Sequence, residues 1–255
     1  MITLLNGDTY SKEEIISMAY DDEFYYGVLG KNALSSSALK MLLKSPKTYR
    51  NVLNYGSTES AALILGKLLH WMVLEPHKIK KIKVIEATTK NTKVFKDAKK
   101  EHQEVYLRKE INEAERLADA LLRNEAVLKL LNKAEFEIPE IQMLDGLPFR
   151  AKADILRDDS IVDIKSTQDL NSFRYSADKF GYDLQAYIYQ RMFKKDKCSF
   201  IVVDKNSTDI GIFETSDEFI ARGEDKFKQA ISNYKYFFQE ENDLDQYVLR
   251  GVLWK

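Results

Sequence analysis

The sequence of 255 residues has little of several features that mark particular classes of protein. It contains a single cysteine, Cys198, so no disulfide can form within the chain. Only 4 prolines and 10 glycines are present, which excludes collagen-like and low-complexity proteins and argues against extended disorder. No apolar run approaches the roughly 20 residues of a membrane-spanning helix, and the first residues lack a signal-peptide pattern. These absences favour a globular protein of a reducing, intracellular compartment.

An excess of charge of either sign is also missing. The chain has 39 basic and 40 acidic residues, and its formal charge is −1 at pH 7. The overall charge therefore does not indicate a nucleic-acid-binding protein, but residues 31–50 carry five basic residues and no acid. Most lysine runs are solvated surface, yet a run without acids makes contact with phosphates a fair hypothesis. The predicted DNA-binding residues are Ser36, Ser37, Lys40, Lys44, Lys47 and Arg50.

The hydrophobic pattern changes from helical to strand-like near residue 132. Helical spacing predicts helices at residues 34–46, 58–76 and 101–131. The stretch DDEFYYG at residues 21–27 is predicted to be a loop. After residue 132, the segments EFEIPEIQML, FRAKADILR and IVDIKST predict three strands joined by tight turns, and two more strands and two helices follow. We expect a single α/β domain over residues 1–255, mainly helical at 1–131, with the strands and remaining helices at 132–255.

Two opposite charges lie inside the apolar strand IVDIKST. Asp163 and Lys165 are two residues apart, so their side chains point to the same face of the sheet. Asp154 lies nine residues before Asp163, and the midpoint of the two positions falls in the turn near 158–160. The two acids should therefore stand nearly opposite each other, with Cβ atoms about 4.5–5.5 Å apart.

Two carboxylates at that distance repel each other, and both stay ionised only with a cation between them. Mg²⁺ prefers one or two carboxylates together with water and substrate phosphate. Lys165 is placed to orient an attacking water or to stabilise charge on a phosphate. The set is thus suited to metal-assisted hydrolysis of phosphodiesters. By spacing alone, a surface ion pair between Asp163 and Lys165 is an equally good interpretation.

Two helices contribute further polar residues. His70 follows Gly66 by four positions in an apolar helix, where a lone histidine is more often a core residue than a metal ligand. Gln185 and Tyr189 lie four apart on the helix that follows the Asp-x-Lys strand. They are either an ordinary helix face or a polar pair that holds Lys165 or contacts DNA.

Together these segments resemble the PD-(D/E)XK nuclease superfamily, and within it the RecE-type (exodeoxyribonuclease VIII-like) exonucleases of phages and prophages, relatives of RecB nuclease domains. The resemblance covers residues 32–195 and rests on a G-x-x-x-H helix, an acid, a D-x-K strand and a Q-x-x-x-Y helix. It implies an α/β fold of the restriction-endonuclease type, with a central mixed β-sheet flanked by helices and a helical N-terminal part. The chain departs from the superfamily pattern at Ala153, where proline is expected, and at Asp163, where the second acid is not glutamate.

The resemblance also implies roles for the motif residues. The implied metal ligands are His70, Asp154, Asp163 and the backbone carbonyl of Ile164. The implied catalytic residues are Asp154, Asp163, Lys165, Gln185 and Tyr189, with Lys165 positioning or activating the water. Glu135 or Glu137 is a candidate for an additional acid. The implied cofactor is Mg²⁺ or Mn²⁺, with two ions per active site.

The implied activity is exonucleolytic hydrolysis of duplex DNA from the 5′ to the 3′ direction in the cytoplasm of a bacterial host cell. The product would be a 3′ single strand for a recombinase or a single-strand annealing protein, and the relatives often form homo-oligomeric rings around DNA. No membrane partner is expected. Two alternatives stay open: an endonuclease or single-strand nuclease of the same fold in repair or defence, and a catalytically inactive DNA-binding protein.

Overall fold

A computed structural model of the chain gives the fold of residues 1–249. Its strands are β1 (Ile2–Thr3), β2 (Thr9–Tyr10), β3 (Lys83–Ile85), β4 (Val105–Leu107), β5 (Glu135–Leu144), β6 (Leu147–Leu156), β7 (Ser160–Thr167), β8 (Lys197–Asp204) and β9 (Ile210–Glu214). The central sheet has the order β5-β6-β7-β8-β9. Its neighbours are antiparallel except β7 and β8, which are parallel. The sheet is therefore mixed. Two small sheets, β1-β2 and β3-β4, lie in the N-terminal part.

Helices surround this sheet. They are α1 (Lys12–Ala19), α2 (Leu29–Asn32), α3 (Ser36–Lys44), α4 (Pro46–Tyr55), α5 (Ala61–Val73), α6 (Pro76–Ile79), α7 (Lys93–Glu101), α8 (Arg108–Arg123), α9 (Glu125–Leu131), α10 (Phe173–Lys179), α11 (Tyr182–Phe193) and α12 (Asp217–Tyr234). Short π-helical segments occur at Glu23–Val28 and Lys235–Gln239, and a 3₁₀ turn at Leu244–Gln246. Within residues 1–249, no helix combines the length and the apolar character that a membrane span requires.

Two apolar layers cover the two faces of the sheet. On one face, α5, α8 and α9 pack against alternate residues of β7 and β8, such as Ile164 and Ile201. On the other face, α3, α11 and α12 pack against the β5–β6 hairpin, where Phe149 is fully buried. The neighbouring residues Phe200 and Val202 of β8 lie under α10 and α11 on this second face. A mixed sheet between helical layers is the fold class that the sequence predicts, and the prediction is confirmed.

Two local predictions are wrong. Residues 21–27 do not form a loop, because the Asp21 side chain accepts a hydrogen bond from the Phe24 amide and starts the π-helical segment, which buries Tyr25. Residues 101–131 are not one helix. The chain instead forms β4 and α8, and the Asn124 side chain then accepts hydrogen bonds from two amides and begins α9. Capping by a side chain ends one helical run and starts the next.

The close approach of α11 and α12 depends on a residue without a side chain. A Cβ atom added at Gly223 would lie 2.2 Å from the backbone oxygen of Asp183. The Asp183 side chain is fully buried and accepts a hydrogen bond of 2.6 Å from Lys226 Nζ. The two helices are thus held by backbone contact together with a buried ion pair.

We expect Gly223→Ala to lower the free energy of unfolding by about 1–3 kcal/mol, because overpacking outweighs the gain of roughly 1 kcal/mol in helix propensity. Gly66 on α5 is the matched control, since a Cβ there would meet no atom within 4 Å. Gly66→Ala should be neutral or should stabilise the protein by up to about 1 kcal/mol. Urea denaturation measures both. Equal stability of the two variants would contradict the close packing of α11 and α12.

Candidate active site

The strands β6 and β7 separate at the two predicted acids. Their ladder holds the pairs nearest the turn, Ile155 with Val162 and Leu156 with Ile161. This register places the next residues, Asp154 and Asp163, opposite each other, as the turn position predicts. The carboxylate of Asp154 then takes the place of a strand carbonyl, because its Oδ2 accepts a 2.8 Å hydrogen bond from the Ile164 amide. The sheet therefore opens where its acids lie.

A third acid continues this row onto β5. The pairs on either side of it, Phe136 with Ile155 and Ile138 with Ala153, place Glu137 opposite Asp154. Glu137 has φ 52°, in the left-handed region that residues with a Cβ rarely adopt. Such a conformation costs about 1–3 kcal/mol and is retained where the surroundings impose it. Glu135, the other acid that the sequence offers, is exposed and pairs with Leu156 at the far end of the hairpin.

The helix α5 brings His70 against this row of acids. Its Nδ1 lies 3.6 Å from Glu137 Oε1, and its Nε2 lies 3.5 Å from Asp154 Oδ2. The same Nε2 is 3.1 Å from the backbone oxygen of Ile164. One ligand atom from each of His70, Glu137 and Asp154 lies within 4.8 Å of the others. These three side chains could hold a metal ion.

The donor set fits a divalent cation. It offers two carboxylates and an imidazole, with the Ile164 carbonyl adjacent. Carboxylate and carbonyl oxygens suit Mg²⁺ and Mn²⁺, and an imidazole suits a transition metal better than Mg²⁺. Because the acids are crowded and shielded from water, a cation at their centre would remove their mutual repulsion.

The pKa values of Asp154 and His70 are both raised, which shows that positive charge stabilises the cluster. Burial, together with the charge of Asp163, raises the pKa of Asp154 to about 7. Burial acts to lower the pKa of His70, but the charge of Asp154 and the hydrogen bond and charge of Glu137 outweigh it and raise the pKa to about 9. Without metal, His70 is therefore protonated at neutral pH and Asp154 is partly protonated.

Asp163 is oriented by two partners. Its side chain is 3% exposed, and its Oδ1 accepts a 2.6 Å hydrogen bond from Gln185 Nε2 on α11. Its Oδ2 forms an ion pair with Lys165, whose side chain is 18% exposed. The pair that spacing predicts exists, but it lies inside the site and not on an exposed face. Asp163 thus contacts Lys165 and Gln185, whereas the group of close ligand atoms consists of His70, Glu137 and Asp154.

Lys165 remains a cation in this environment. Burial acts to lower its pKa, but the charges of Asp163 and Asp154 outweigh burial and hold the pKa above its ordinary value. Its Nζ lies 5.0 Å from the ring centroid of Tyr182, the first residue of α11. Lys40 of α3 lies over the same ring, at 5.2 Å, and burial together with Lys165 lowers the pKa of Lys40 to about 8.

Tyr189 supports the strand and not the acids. Its hydroxyl donates a 3.0 Å hydrogen bond to the backbone oxygen of Lys152 on β6. This carbonyl lies beyond the last pair of the β6–β7 ladder, so a side chain of α11 supplies the partner that β7 does not. Gln185 and Tyr189 therefore both face the opening between the strands, but only Gln185 touches a predicted catalytic residue.

These residues line a cleft with a volume of about 640 Å³. Three of the predicted DNA-binding residues are in its wall: Ser36, Ser37 and Lys40. The other three lie outside that wall: Lys44, Lys47 and Arg50. Lys47 pairs with Asp245, and the Arg50 guanidinium lies 5.3 Å from the ring centroid of Phe238. The basic run of the sequence is thus divided, and only its first part faces the acids.

Sequence reasoning missed several residues of the cleft wall, among them Tyr25, Tyr26, Lys67, Arg150, Lys152 and Lys205. Arg150 and Lys152 alternate with Asp154 along β6, and this spacing is a signal that the sequence did contain. Tyr25 and Tyr26 carry no signal, because the sequence predicts a loop where the π-helical segment forms.

Comparisons with known proteins agree with this architecture. A family described as PDDEXK-like domain of unknown function (DUF3799) matches residues 35–246. No curated protein matches the sequence. Among solved structures, a protein designated as an exonuclease from Eubacterium rectale is 16% identical, with a TM-score of 0.67 and 97% of each chain covered.

Two further solved structures are more distant. A phage related exonuclease from Haemophilus somnus 129PT is 14% identical, with a TM-score of 0.38, and the match covers 82% of this chain and 96% of that chain. An alkaline exonuclease from Laribacter hongkongensis is 13% identical, with a TM-score of 0.37, and the match covers 87% of this chain and 98% of that chain.

The family match extends over more than half of the chain, and the Eubacterium rectale structure shares the fold. The predicted relation to PD-(D/E)XK nucleases is therefore confirmed, whereas the RecE type stays a prediction. The chain belongs to the PDDEXK-like domain family DUF3799.

Proposed function

We propose that the protein is a divalent-metal-dependent deoxyribonuclease that hydrolyses duplex DNA from its ends. The observation that carries this proposal is the convergence of His70, Glu137 and Asp154 in one cleft with the buried ion pair of Asp163 and Lys165. Such a set serves phosphodiester hydrolysis because it combines a place for a hard cation with a fixed ammonium group.

The metal would be held by His70, Glu137 and Asp154, with the Ile164 carbonyl as a fourth donor. When bound, a divalent cation such as Mg²⁺ or Mn²⁺ supplies Lewis-acid stabilisation of the charge that develops on the phosphate oxygens. Asp163 is proposed as a further ligand, for a second ion, and would then share its carboxylate with Lys165. Glu137 takes the place of the additional acid that the sequence left undecided.

The chain's own side chains have distinct tasks in this proposal. The charges of Asp163 and Asp154 hold the pKa of Lys165 above its ordinary value, so in the metal-free site Lys165 is a cation that can orient a water or stabilise the phosphate. Gln185 fixes the Asp163 carboxylate through a 2.6 Å hydrogen bond. Tyr189 holds the backbone of β6 at the opening of the sheet. Lys40, with its pKa lowered to about 8, gains a partner when a phosphate enters the cleft.

Action at DNA ends is supported by the Eubacterium rectale protein, which shares the fold and is designated an exonuclease. We extend the proposal to 5′ to 3′ resection that leaves a 3′ single strand for a recombinase or an annealing protein. A homo-oligomeric ring around the DNA is part of the same proposal.

The test compares linear duplexes, labelled at either the 5′ or the 3′ end, with closed circular DNA, in Mg²⁺, Mn²⁺ or EDTA. We expect metal-dependent release of the 5′ label as the first product and an intact circle. Lys165→Met should lower the rate on the order of 10²–10³-fold. Lys197→Met is the matched control, because Lys197 is 74% exposed and pairs with Asp159.

Other results would indicate a different activity or reject the proposed site. Cutting of the circle indicates an endonuclease. Retention of DNA without cleavage, and without any effect of metal, indicates a DNA-binding protein. Equal rates for wild type and Lys165→Met would reject the proposed site even if the preparation releases nucleotides.

A further inference from the structure

A further cationic side chain in the cleft has one nitrogen without a hydrogen-bond partner. Arg150, on β6, lines the cleft, and its Nε is buried without a hydrogen-bond partner among the residues that the structure describes. Its neighbour Lys152 is different, because Lys152 Nζ donates a 3.0 Å hydrogen bond to Asp22, which also pairs with Lys78. The Arg150 side chain is only half-buried and also contacts the Tyr25 hydroxyl. An N–H that is shielded from water without an acceptor is nevertheless unfavourable, so Arg150 is suited to an anion that enters from outside.

Two aromatic rings hold this guanidinium. Its Cζ lies over Tyr25, 4.5 Å from the ring centroid, and 5.8 Å from that of Tyr26. The two rings themselves meet edge to face at 4.9 Å. Stacking on an aromatic face orients a guanidinium and leaves N–H groups at its edge, here Nε, available to donate. The π-helical segment Glu23–Val28 therefore presents Arg150 to the cleft in a fixed orientation.

The position of Arg150 along β6 determines which group it can reach. Arg150, Lys152 and Asp154 are alternate residues of the strand, and all three line the cleft. The strand rise places the Cα atoms of Arg150 and Asp154 about 13 Å apart. A DNA strand whose reacting phosphate lies at Asp154 would therefore present a different phosphate to Arg150.

We propose that Arg150 binds a phosphate group of the DNA other than the one being hydrolysed, and so sets the register of the strand in the site. This inference rests on the proposed function, since it takes DNA as the substrate. The ligand is a phosphate oxygen pair, which a guanidinium binds through two parallel hydrogen bonds. The phosphate is either an internal diester or the monoester at a strand end, and both present the same oxygens.

Binding without hydrolysis tests this directly. The affinity for a labelled duplex is measured by fluorescence anisotropy in EDTA over a range of salt concentrations. Loss of one phosphate contact should reduce the slope of log K against log salt by about 0.9. We expect this reduction for Arg150→Met and Arg150→Gln, whereas Arg150→Lys should keep the slope because it keeps the charge.

The matched control is Arg123→Met, since the Arg123 side chain is 82% exposed on α8 and lies outside the cleft. Thermal unfolding of each variant confirms that it is folded. If Arg150→Met does not fold, Arg150→Gln supplies the same comparison with a polar side chain. An unchanged slope in the folded Arg150 variants, relative to Arg123→Met, would overturn the proposal.

A second binding experiment identifies the phosphate that Arg150 contacts. Neutral methylphosphonate linkages are placed at each position near the duplex end, and duplexes with a 5′-hydroxyl are compared with 5′-phosphorylated ones. One of these modifications of the DNA should weaken binding by wild type but have no further effect on binding by Arg150→Met. The DNA modification and the substitution then remove the same contact. An internal position indicates a diester, and the 5′ end indicates a monoester. The same penalty in both proteins at every position would reject Arg150 as the contact.

This outcome is independent of catalysis. If the slope changes as expected but no nucleotides are released in metal, the phosphate site stands and the nuclease proposal fails. If nucleotides are released and the slope does not change, the nuclease proposal stands and the role of Arg150 is rejected.

Discussion

Replacing Asp154 with asparagine is expected to slow hydrolysis strongly and, in EDTA, to make the protein more stable than wild type. The carboxylate is proposed to bind metal, so its loss should lower kcat on the order of 10³-fold. The same carboxylate lies buried in a row with two other acids, and burial and Asp163 raise its pKa to about 7. Ionised Asp154 is thus unfavourable in the metal-free fold.

The asparagine retains the geometry that the strand requires. Its amide oxygen can still accept the hydrogen bond from the Ile164 amide, which Asp154 Oδ2 accepts at 2.8 Å. The variant also removes one charge from a crowded site. At pH 8 we expect the free energy of unfolding to rise by roughly 1–3 kcal/mol, measured by urea denaturation in EDTA. Function and stability then change in opposite directions, as is common at active sites.

Asp119→Asn is the control for this substitution. Asp119 lies on α8 with a side chain 64% exposed, so the change should alter stability by less than about 0.5 kcal/mol and leave the rate unchanged. Rapid hydrolysis by Asp154→Asn would show that Asp154 holds no essential metal. A loss of several kcal/mol would show that its charge supports the fold.

The second large effect is a dependence of stability on pH that metal reverses. In EDTA, the melting temperature should fall as pH rises from about 4 to about 9. Asp154 has a raised pKa of about 7 against an ordinary 3.8, so the stability from its bound proton is lost as pH rises through 7. His70 has a raised pKa of about 9 against 6.5, so its contribution is lost as pH rises through 9. Both groups act in the same direction.

A divalent cation should replace these protons. Metal binding competes with protonation, so Mg²⁺ or Mn²⁺ should raise the melting temperature more at pH 9 than at pH 6. At a concentration of about 100 times Kd, the stabilisation is about 2.7 kcal/mol, which corresponds to roughly 5–10 °C. Calorimetry with and without EDTA measures the difference.

Two glutamates of the same strand provide the comparison. Glu137→Gln should lose most of the metal-induced shift, because Glu137 is one of the three close ligand residues. Glu140→Gln should keep it, because Glu140 pairs with Lys12 away from the cluster. Equal shifts at both pH values, or a full shift in Glu137→Gln, would contradict metal binding by this cluster.

Much of β7 could be predicted without a structure. The alternation of apolar and charged residues in IVDIKST placed Asp163 and Lys165 on one face, and the turn at 158–160 placed Asp154 opposite Asp163. Both properties are local, since strand period and hairpin register depend on a few neighbouring residues. The same locality made the strands and α5 predictable.

The choice between Glu135 and Glu137 required the tertiary structure. The two acids lie on the same strand, two residues apart, so strand alternation places both on the same face and does not distinguish them. Only the contact of Glu137 with His70, across two elements 67 positions apart in the chain, and its left-handed backbone distinguish it. The surroundings impose this backbone conformation, and no local preference for it exists in the sequence.

By itself, the sequence determined the succession of strands along the chain, the facing pair of acids and the lysine beside them, because these follow from short-range periodicity. The tertiary structure decided which charges meet in the cleft. It brought His70 to the acids, turned Lys40 inward while Lys44 stayed on the surface, and stacked Arg150 on Tyr25. Such contacts join distant parts of the chain, and their formation depends on how whole helices pack against the sheet and not on any one segment.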